Sequence, residues 1–320
     1  MSSSRALAAA LCWAFALGCS TPGPGPDDPP REAAPQAGPT RSSDRSLNDP
    51  PAGPTYSSER PLDLAPEREP PAPDISICAD RGSFSDGAGI TPPLAAHLEL
   101  GYTFTFERDG ADEFERHNGP ETLLRAGVME DRLEIRAIWS GWTWTEFETN
   151  GGDEDHDRGA SDLVVGGKVK ITDQSDWFPR TALIAQTTVG AGSEGFSTQE
   201  VDPVFKLVWF YDFGNGFSLL GNGNLNLPSD SEGRFCQWQA SICPGYMPIP
   251  GTTVFAEYFF IVPATRDTDA AHSVDVGLLQ LVGKRFQFDV RVGAGLNDEA
   301  DDFFTGAGAS YLFGPPGSGG

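Results

Sequence analysis

The stretch HLELGYTFTFERDG at residues 97–110 alternates apolar and polar side chains, and this period of two constrains the fold more than any other feature of the chain. Successive side chains of a β-strand point to opposite faces, so the stretch predicts a strand with one apolar and one polar face. The apolar face consists of Leu98, Leu100, Tyr102, Phe104 and Phe106. Such a face is buried either in the core of a soluble β-sandwich or against lipid.

Twelve segments of this kind are predicted, each about ten residues long, which is the length that a tilted membrane-spanning strand requires. Charges of both signs occur in mid-strand, as at Asp289 and Arg291, and suit a water-filled or ion-paired interior better than the outside of a sandwich. The sequence therefore predicts an all-β fold, a twelve-stranded antiparallel up-and-down transmembrane β-barrel over residues 91–314. The predicted strands are Leu98–Glu107, Glu121–Met129, Leu133–Glu148, Asp162–Ile171, Arg180–Val189, Val201–Tyr211, Phe217–Leu227, Phe235–Met247, Thr253–Val262, Ser273–Val282, Phe286–Gly295 and Phe303–Phe313.

The connections between these segments support the membrane interpretation. Shorter ones, such as EDR at 130–132 and GKR at 283–285, largely alternate with longer polar ones, such as TNGGDEDHDRGAS at 149–161. In outer-membrane barrels the short turns are periplasmic and the long loops lie outside the cell. The alternation predicts that both ends of the barrel chain are periplasmic, and the last strand ends in the aromatic sequence SYLF.

The amino-terminal ninety residues have a different composition. Arg5 followed by ALAAALCWAFAL is typical of an export signal, and residues 16–19, ALGC, resemble a lipobox, so residues 1–19 are predicted to be a signal peptide. Two alternatives stay open here: lipidation of Cys19 or ordinary signal cleavage nearby. Residues 20–90 carry most of the 27 prolines, which predicts a disordered tether, and residues 315–320 are a predicted flexible tail.

Composition limits the partners of the chain. The formal net charge is −24, with 46 acidic and 22 basic residues, and nucleic-acid binding depends on cations that neutralise phosphates. We therefore expect no nucleic acid, whereas outer-membrane lipids are expected partners. The spacing of Cys78, Cys236 and Cys243 fits no CxxC metal site. Because Cys236 and Cys243 are seven residues apart, they would face opposite sides of one continuous strand, so the disulfide pairing of the three cysteines stays open.

The polar faces of the predicted strands supply the candidate site, the barrel lumen. The residues expected to point inward are Arg125, Glu134, Arg136, Lys168, Lys170, Lys206, Glu257, Asp275, Asp289 and Arg291. Two interpretations stay open: the residues line a path for a solute, or the opposite charges pair across the narrow interior and close it.

Other motifs carry little chemistry. GAGSEG at 190–195 matches the spelling of a dinucleotide-binding loop but no helical pattern follows, so it is predicted to be a loop. DEDHD at 153–157 places Asp153, Asp155 and Asp157 at alternating positions without the glycine and glutamate of an EF-hand, which leaves a weak divalent-cation contact or a solvated acidic loop. His272 and Ser273 are adjacent and therefore face opposite ways, so hydrolysis on the barrel surface is not expected. No catalytic residues and no cofactor are predicted.

Five stretches together resemble the outer-membrane family of transporters of the phenol-degradation meta pathway, over residues 90–313. These stretches are HLELGYTFTFERDG, PETLLRAGVMEDRLEIRAIWSGW, SDLVVGGKVKITDQ, DPVFKLVWFYDFGNGFSLLGNGNLN and DDFFTGAGASYLF. The resemblance implies a small β-barrel in the outer membrane. It implies no catalytic residues, and the name of the pathway does not identify a solute for this chain.

The expected function is a passive outer-membrane channel or transporter-like barrel for small hydrophilic or aromatic solutes in the bacterial outer membrane. The alternative is a structural or surface-interaction barrel with a closed lumen and acidic loops that bind divalent cations. A third interpretation, a soluble periplasmic β-sandwich, would place the same apolar faces in a core.

Overall fold

In a computed structural model, the chain is described at residues 77–129 and 131–314. This part contains sixteen strands and no helix, and so no helix long and apolar enough to cross a membrane. The strands are β1 Ala96–Asp109, β2 Asp112–Met129, β3 Leu133–Trp139, β4 Trp142–Glu148, β5 Glu154–Ala160, β6 Leu163–Thr172, β7 Arg180–Val189, β8 Pro203–Gly214, β9 Phe217–Asn226, β10 Ser229–Asp230, β11 Gly233–Arg234, β12 Gln237–Ile249, β13 Thr252–Val262, β14 Ala271–Val282, β15 Phe286–Gly295 and β16 Phe303–Phe313.

Twelve of these strands form a closed antiparallel barrel. Neighbours in sequence are neighbours in space around the wall, and β1 pairs with both β2 and β16, which closes the ring. The predicted twelve-stranded up-and-down barrel is therefore confirmed. The soluble sandwich is wrong, because the wall is one closed sheet rather than two stacked ones.

Of the remaining four strands, β4 and β5 extend the wall at the end opposite the short turns. The β2 strand is longer than predicted: its amino-terminal half, Glu113–Gly119, pairs with β4, and its other half pairs with β3. The predicted strand Leu133–Glu148 is divided at Ser140, and β5 lies beside β4 as the last strand of the extension. The β10–β11 hairpin is a separate small sheet in the connection between β9 and β12. Part of what the sequence predicted as long loops is thus protruding sheet.

The wall is apolar outside and polar inside. On β15, Phe288, Val290 and Val292 are 48%, 51% and 43% exposed, whereas Asp289 between them is 2% exposed. The same contrast recurs around the ring: large apolar side chains dominate the exposed surface, and the buried set contains more polar and charged residues than hydrophobic ones. An apolar band around a polar lumen is the arrangement that a barrel adopts in lipid. The barrel is therefore a protein of the bacterial outer membrane, as predicted.

The segment that precedes β1 occupies the lumen. Residues 77–95, which we call the plug, enter and leave at the end with the short turns: the Ile77 amide donates to the Lys284 carbonyl in one short turn, and Ala95 adjoins the start of β1. Between these ends, Asp80, Ser85 and Thr91 are buried among inward-facing side chains.

The predicted disordered tether, residues 20–90, extends too far along the chain, because residues 77–90 contact the inner wall through ion pairs and hydrogen bonds. These contacts are with residues distant in sequence, so the local composition does not predict them. Residues 20–76 of that prediction lie outside the described residues. The predicted signal peptide with Cys19 and the tail at 315–320 lie outside them too.

Candidate functional site

The ten predicted lumen residues all belong to strands of the wall. Seven of them are buried: Arg125, Glu134, Arg136, Lys168, Glu257, Asp275 and Asp289. Lys206 and Arg291 are partly exposed inside the barrel. Lys170 lies near the short-turn end, where it pairs with Asp131 and Asp173 rather than with the rest of the set.

Asp80 of the plug is the centre of the largest group of charges. Its carboxylate lies 2.6 Å from the Lys168 Nζ atom, 3.2 Å from an Arg136 guanidinium nitrogen and 3.3 Å from an Arg125 guanidinium nitrogen. These four side chains are at most 1% exposed. A buried carboxylate needs such compensation, because removing a charge from water is costly unless it is paired and hydrogen-bonded. The plug thus adds one carboxylate that contacts three cations of the wall.

Carboxylates of the wall bind the plug backbone in turn. Glu99 accepts from the amides of Asp80 and Arg81, the latter at 2.8 Å. Glu134 accepts from the Thr91 amide at 2.8 Å and from its hydroxyl at 2.9 Å. Hydrogen bonds to ionised acceptors are about twice as strong as neutral ones, so these contacts hold the plug through its main chain.

The opposite wall holds the tip of the plug. Glu257 accepts from the amides of Phe84 and Ser85 at 2.7 and 2.9 Å, and from the Ser85 hydroxyl. The Ser85 and Ser241 hydroxyl oxygens are 2.6 Å apart. The Phe84 ring stacks on Phe259 with centroids 4.3 Å apart. The tip is therefore held by hydrogen bonds from uncharged donors to one buried carboxylate and by one stacked pair of aromatic rings.

Asp86 and Ala88 complete the contact with the third side of the lumen. Asp86 pairs with Arg136 at 2.9 Å and with Lys206 at 2.7 Å. Ala88 packs against the buried side chains of Ala182, Ile184 and Val208. The plug therefore contacts several sides of the wall inside the lumen.

Arg81 lies where the first and last strands meet. Its guanidinium is 2.6 Å from Glu121, its Nε atom is 3.3 Å from Asp289, and it donates to the Ala307 carbonyl. Gly101 of β1 and Gly308 of β16 are register partners, and a Cβ atom at either would lie within 2 Å of the Arg81 side chain. Two glycines in adjacent strands thus make room for this side chain.

A cavity of about 360 Å³ remains above the plug. Residues 80–83 form one side of it, and its other walls come from β1, β2, β3, β8 and β15. The strands contribute residues such as Ile138, Lys206 and Arg291, which lie at mid-strand or toward the extended end. The cavity therefore lies on the side of the plug away from the short turns, and it is partly open to solvent.

The predicted cation contact at Asp153, Asp155 and Asp157 has no convergent ligand set. Asp155 and Asp157 lie on β5, an extended strand, and Asp153 precedes it, so the three carboxylates are spread along the strand. Within the described ranges no group of three His, Cys, Asp or Glu side chains could hold a metal ion. The acidic residues instead form part of the exposed outer extension.

The other motifs also have definite positions. GAGSEG lies in the connection between β7 and β8, where Asp162 accepts from the amides of Ala191 and Gly192, so the loop prediction is confirmed. His272 stacks against Tyr258 on the outer face while Ser273 is buried inside. Cys78, Cys236 and Cys243 are free thiols.

Ion pairs at the ends of the barrel are more exposed to solvent than those of the lumen. In the long connections, Arg266 binds Asp230 with two hydrogen bonds of 2.7 and 2.8 Å, and this contact lowers the pKa of the Asp230 carboxyl. In a short turn, the hydrogen bond from Lys170 lowers the pKa of Asp173. Both carboxylates lie at the solvent-exposed ends of the wall.

The plug half of the site was not predicted from the sequence. Asp80, Arg81, Ser85 and Asp86 fall in a stretch, DRGSFSDG, without strand or helix periodicity. The available signal was the change after Pro73: residues 74–91 contain no proline and are rich in aspartate, glycine and serine. Glu99 and His97 also belong to the polar face of the first predicted strand and were not among the predicted site residues.

A closed barrel with an apolar exterior and a charged lumen defines a channel-like protein of the bacterial outer membrane. A family model described as "Putative MetA-pathway of phenol degradation" matches residues 79–313, and the chain belongs to this family, as the resemblance implied. The match begins within the plug, so the plug is part of the family pattern.

Solved structures share the barrel. An outer membrane channel from Pseudomonas putida F1 superposes with a TM-score of 0.58 at 14% identity, over 74% of this chain and 100% of that chain. The KdgM porin in complex with disordered oligogalacturonate has a TM-score of 0.42 at 10% identity, over 69% of this chain and 99% of that chain. The β domain of the Bordetella autotransporter BrkA has a TM-score of 0.46 at 11% identity, over 69% and 100%. No curated protein matches the chain at a significant level.

Proposed function

We propose that the protein is a passive outer-membrane channel for small solutes, and that the plug closes its lumen until it is displaced. The observation that carries this proposal is the kind of contact that holds the plug. Hydrogen bonds, ion pairs and one stacked ring pair connect it to the wall. Such contacts are reversible, and a polar lumen exchanges them for water when the segment moves.

The second candidate is a structural barrel with a permanently closed lumen. The observation that favours it is the fully buried group around Asp80, in which three cations surround one carboxylate. Both candidates share the fold and differ only in whether the plug moves, so a measurement of conductance separates them.

The experiment fixes the plug to the wall by a reversible bond. Ser85→Cys and Ser241→Cys place two thiols where the hydroxyl oxygens are 2.6 Å apart, close enough for a disulfide after small adjustment. The background carries Cys78→Ser, Cys236→Ser and Cys243→Ser, which removes the other thiols of the described residues. We expect the oxidised protein to be silent in planar bilayers and the reduced protein to conduct ions.

The control is the single variant Ser85→Cys in the same background, whose conductance should not respond to reductant. A reduced, correctly folded double variant that stays silent across applied voltages would support the structural barrel instead. Liposome swelling with sugars, amino acids and aromatic acids then ranks the solutes.

Several narrower assignments accompany this proposal. The solute is a small hydrophilic or aromatic molecule, and the family description makes phenolic compounds one class to include in the swelling assay. Outer-membrane lipids contact the apolar band. We assign no catalytic role to the lumen, and lipidation of Cys19 stays a prediction from its sequence context.

A further inference from the structure

The cavity above the plug contains two charged groups of opposite sign that the plug does not neutralise fully. Asp289 and Arg291 lie two residues apart on β15 and both line the cavity. Residues two apart on a strand share a face and are separated by about 6.7 Å. They therefore present an acceptor and a donor side by side to whatever enters.

Asp289 has an acceptor atom without a partner. The side chain is 2% exposed, its Oδ1 atom lies 3.3 Å from the Arg81 Nε atom, and its Oδ2 atom accepts no hydrogen bond from the described residues. A buried carboxylate oxygen in this state costs free energy that a donor from a ligand would recover once the side chain turns this oxygen toward the cavity.

Arg291 has donors without partners. Its nearest carboxylate, Asp275, is 3.8 Å away, and its guanidinium lies 5.6 Å from the centre of the Phe304 ring. Within the described part of the chain its side chain donates no hydrogen bond. The planar guanidinium is the group that recognises a carboxylate with two parallel hydrogen bonds.

The opposite wall of the cavity includes apolar side chains. Leu123 of β2 and Ile138 of β3 face the cavity, with Trp139 at the edge. The volume of about 360 Å³ falls within the range of about 300–1,000 Å³ that small-molecule sites occupy. A ligand here meets these apolar side chains together with charged ones, which include Glu121 of β2 and Lys206 of β8 besides Asp289 and Arg291.

We propose that this cavity binds a zwitterionic α-amino acid with an apolar side chain. Its carboxylate pairs with Arg291, its ammonium donates to Asp289, and its side chain lies against Leu123 and Ile138. A ligand with only a negative charge is repelled by the Asp289 carboxylate, and a ligand with only a positive charge is repelled by the Arg291 guanidinium. Asp289 and Arg291 together therefore select against both kinds of ligand. This inference names a solute class for the channel. Uptake of that solute rests on the proposed function, whereas its binding in the cavity does not.

The test is titration calorimetry on the full chain in detergent micelles with L-leucine as the probe. Two analogues each lack one charged group: 4-methylpentanoate lacks the ammonium and 3-methylbutylamine lacks the carboxylate. We expect saturable binding of leucine at one site, and a Kd at least about tenfold weaker for either analogue, because each leaves one buried charge unpaired.

Variants locate the site. Arg291→Gln and Asp289→Asn should each weaken leucine binding about tenfold to a hundredfold, since each removes a hydrogen bond to a charged group. Arg266→Gln and Asp230→Asn remove the same charges from an exposed pair in the long connections and should leave the Kd within about twofold.

Three results would overturn the inference: no saturable heat with leucine, equal binding of an analogue, or leucine binding that Arg291→Gln does not change. If the lumen variants do not fold, the comparison of leucine with its two analogues on the natural chain decides alone. Absence of binding in a protein that conducts after reduction rejects this inference only. Absence of conductance in both redox states rejects the channel only.

Discussion

The ion pairs around Asp80 and the pair formed by Asp230 and Arg266 use the same chemistry at two levels of exposure. In the lumen, Asp80, Arg125 and Lys168 are at most 1% exposed, while the side chains of Asp230 and Arg266 are 34% and 25% exposed. In the loop, water can replace either partner. In the lumen, each charge depends on the others, because desolvation leaves it no other source of stabilisation. Burial, rather than the number of contacts, therefore determines which pairs hold the molecule together.

The largest effect is expected from Arg125→Met, which preserves bulk but removes the cation beside Asp80, Glu99 and Glu134. The loss should be about 3–5 kcal/mol in the free energy of unfolding, since it leaves the buried Glu99 without a cation and removes one cation each from Asp80 and Glu134. Urea unfolding in detergent micelles measures it. A loss below about 1 kcal/mol would mean that water already screens this part of the lumen.

A smaller effect is expected from Glu257→Leu at the tip of the plug. The substitution leaves the Phe84 and Ser85 amides without an acceptor, which costs about 1–3 kcal/mol. Hydrogen exchange of these two amides should accelerate while the amides of β15 stay protected. Glu257→Gln retains an acceptor and serves as the matched control with a smaller change. Unchanged exchange at both amides would show that the wall does not hold the tip.

A third substitution, Gly101→Ala, acts on the plug through a steric clash with the Arg81 side chain. The new methyl group would meet the Arg81 guanidinium, a flexible end that can move, so Arg81 should lose its contacts with Glu121 and Asp289. We expect a loss of about 1 kcal/mol and a higher bilayer conductance. Gly223→Ala is the control, since a Cβ there meets nothing within 4 Å. Equal conductance of the two variants would contradict this account.

The smallest effect is expected from Arg266→Gln. The pKa of Asp230 is low because Arg266 donates to it, so this pair stabilises the folded loop above the ordinary carboxyl pKa and loses that contribution as pH falls through the lowered value. The substitution should return the pKa of Asp230 toward its usual value without a measurable change in the unfolding midpoint. Carbon-13 NMR of the labelled carboxyl group follows this titration. A midpoint that falls as far as that of Arg125→Met would remove the distinction between the two sites.

The walls of the barrel could be predicted from the sequence and the plug could not. The strands at Arg180–Val189, Phe286–Gly295 and Phe303–Phe313 have the predicted bounds, because a period of two is a local signal that membrane burial enforces. The extension of β2 back to Asp112 was missed, since GADEFERHNG reads as a polar loop until its partner strands are known. The plug has no period at all: its conformation depends on distant residues such as Lys168 and Glu257.

The position of Arg81 between Gly101 and Gly308 has a consequence for assembly. These two glycines come from the first and last strands, so the recess that receives the guanidinium does not exist until the two ends of the sheet have joined. During insertion the segment ahead of β1 cannot yet be seated there. The Arg81 guanidinium can therefore take its final position only after the first and last strands of the barrel have paired.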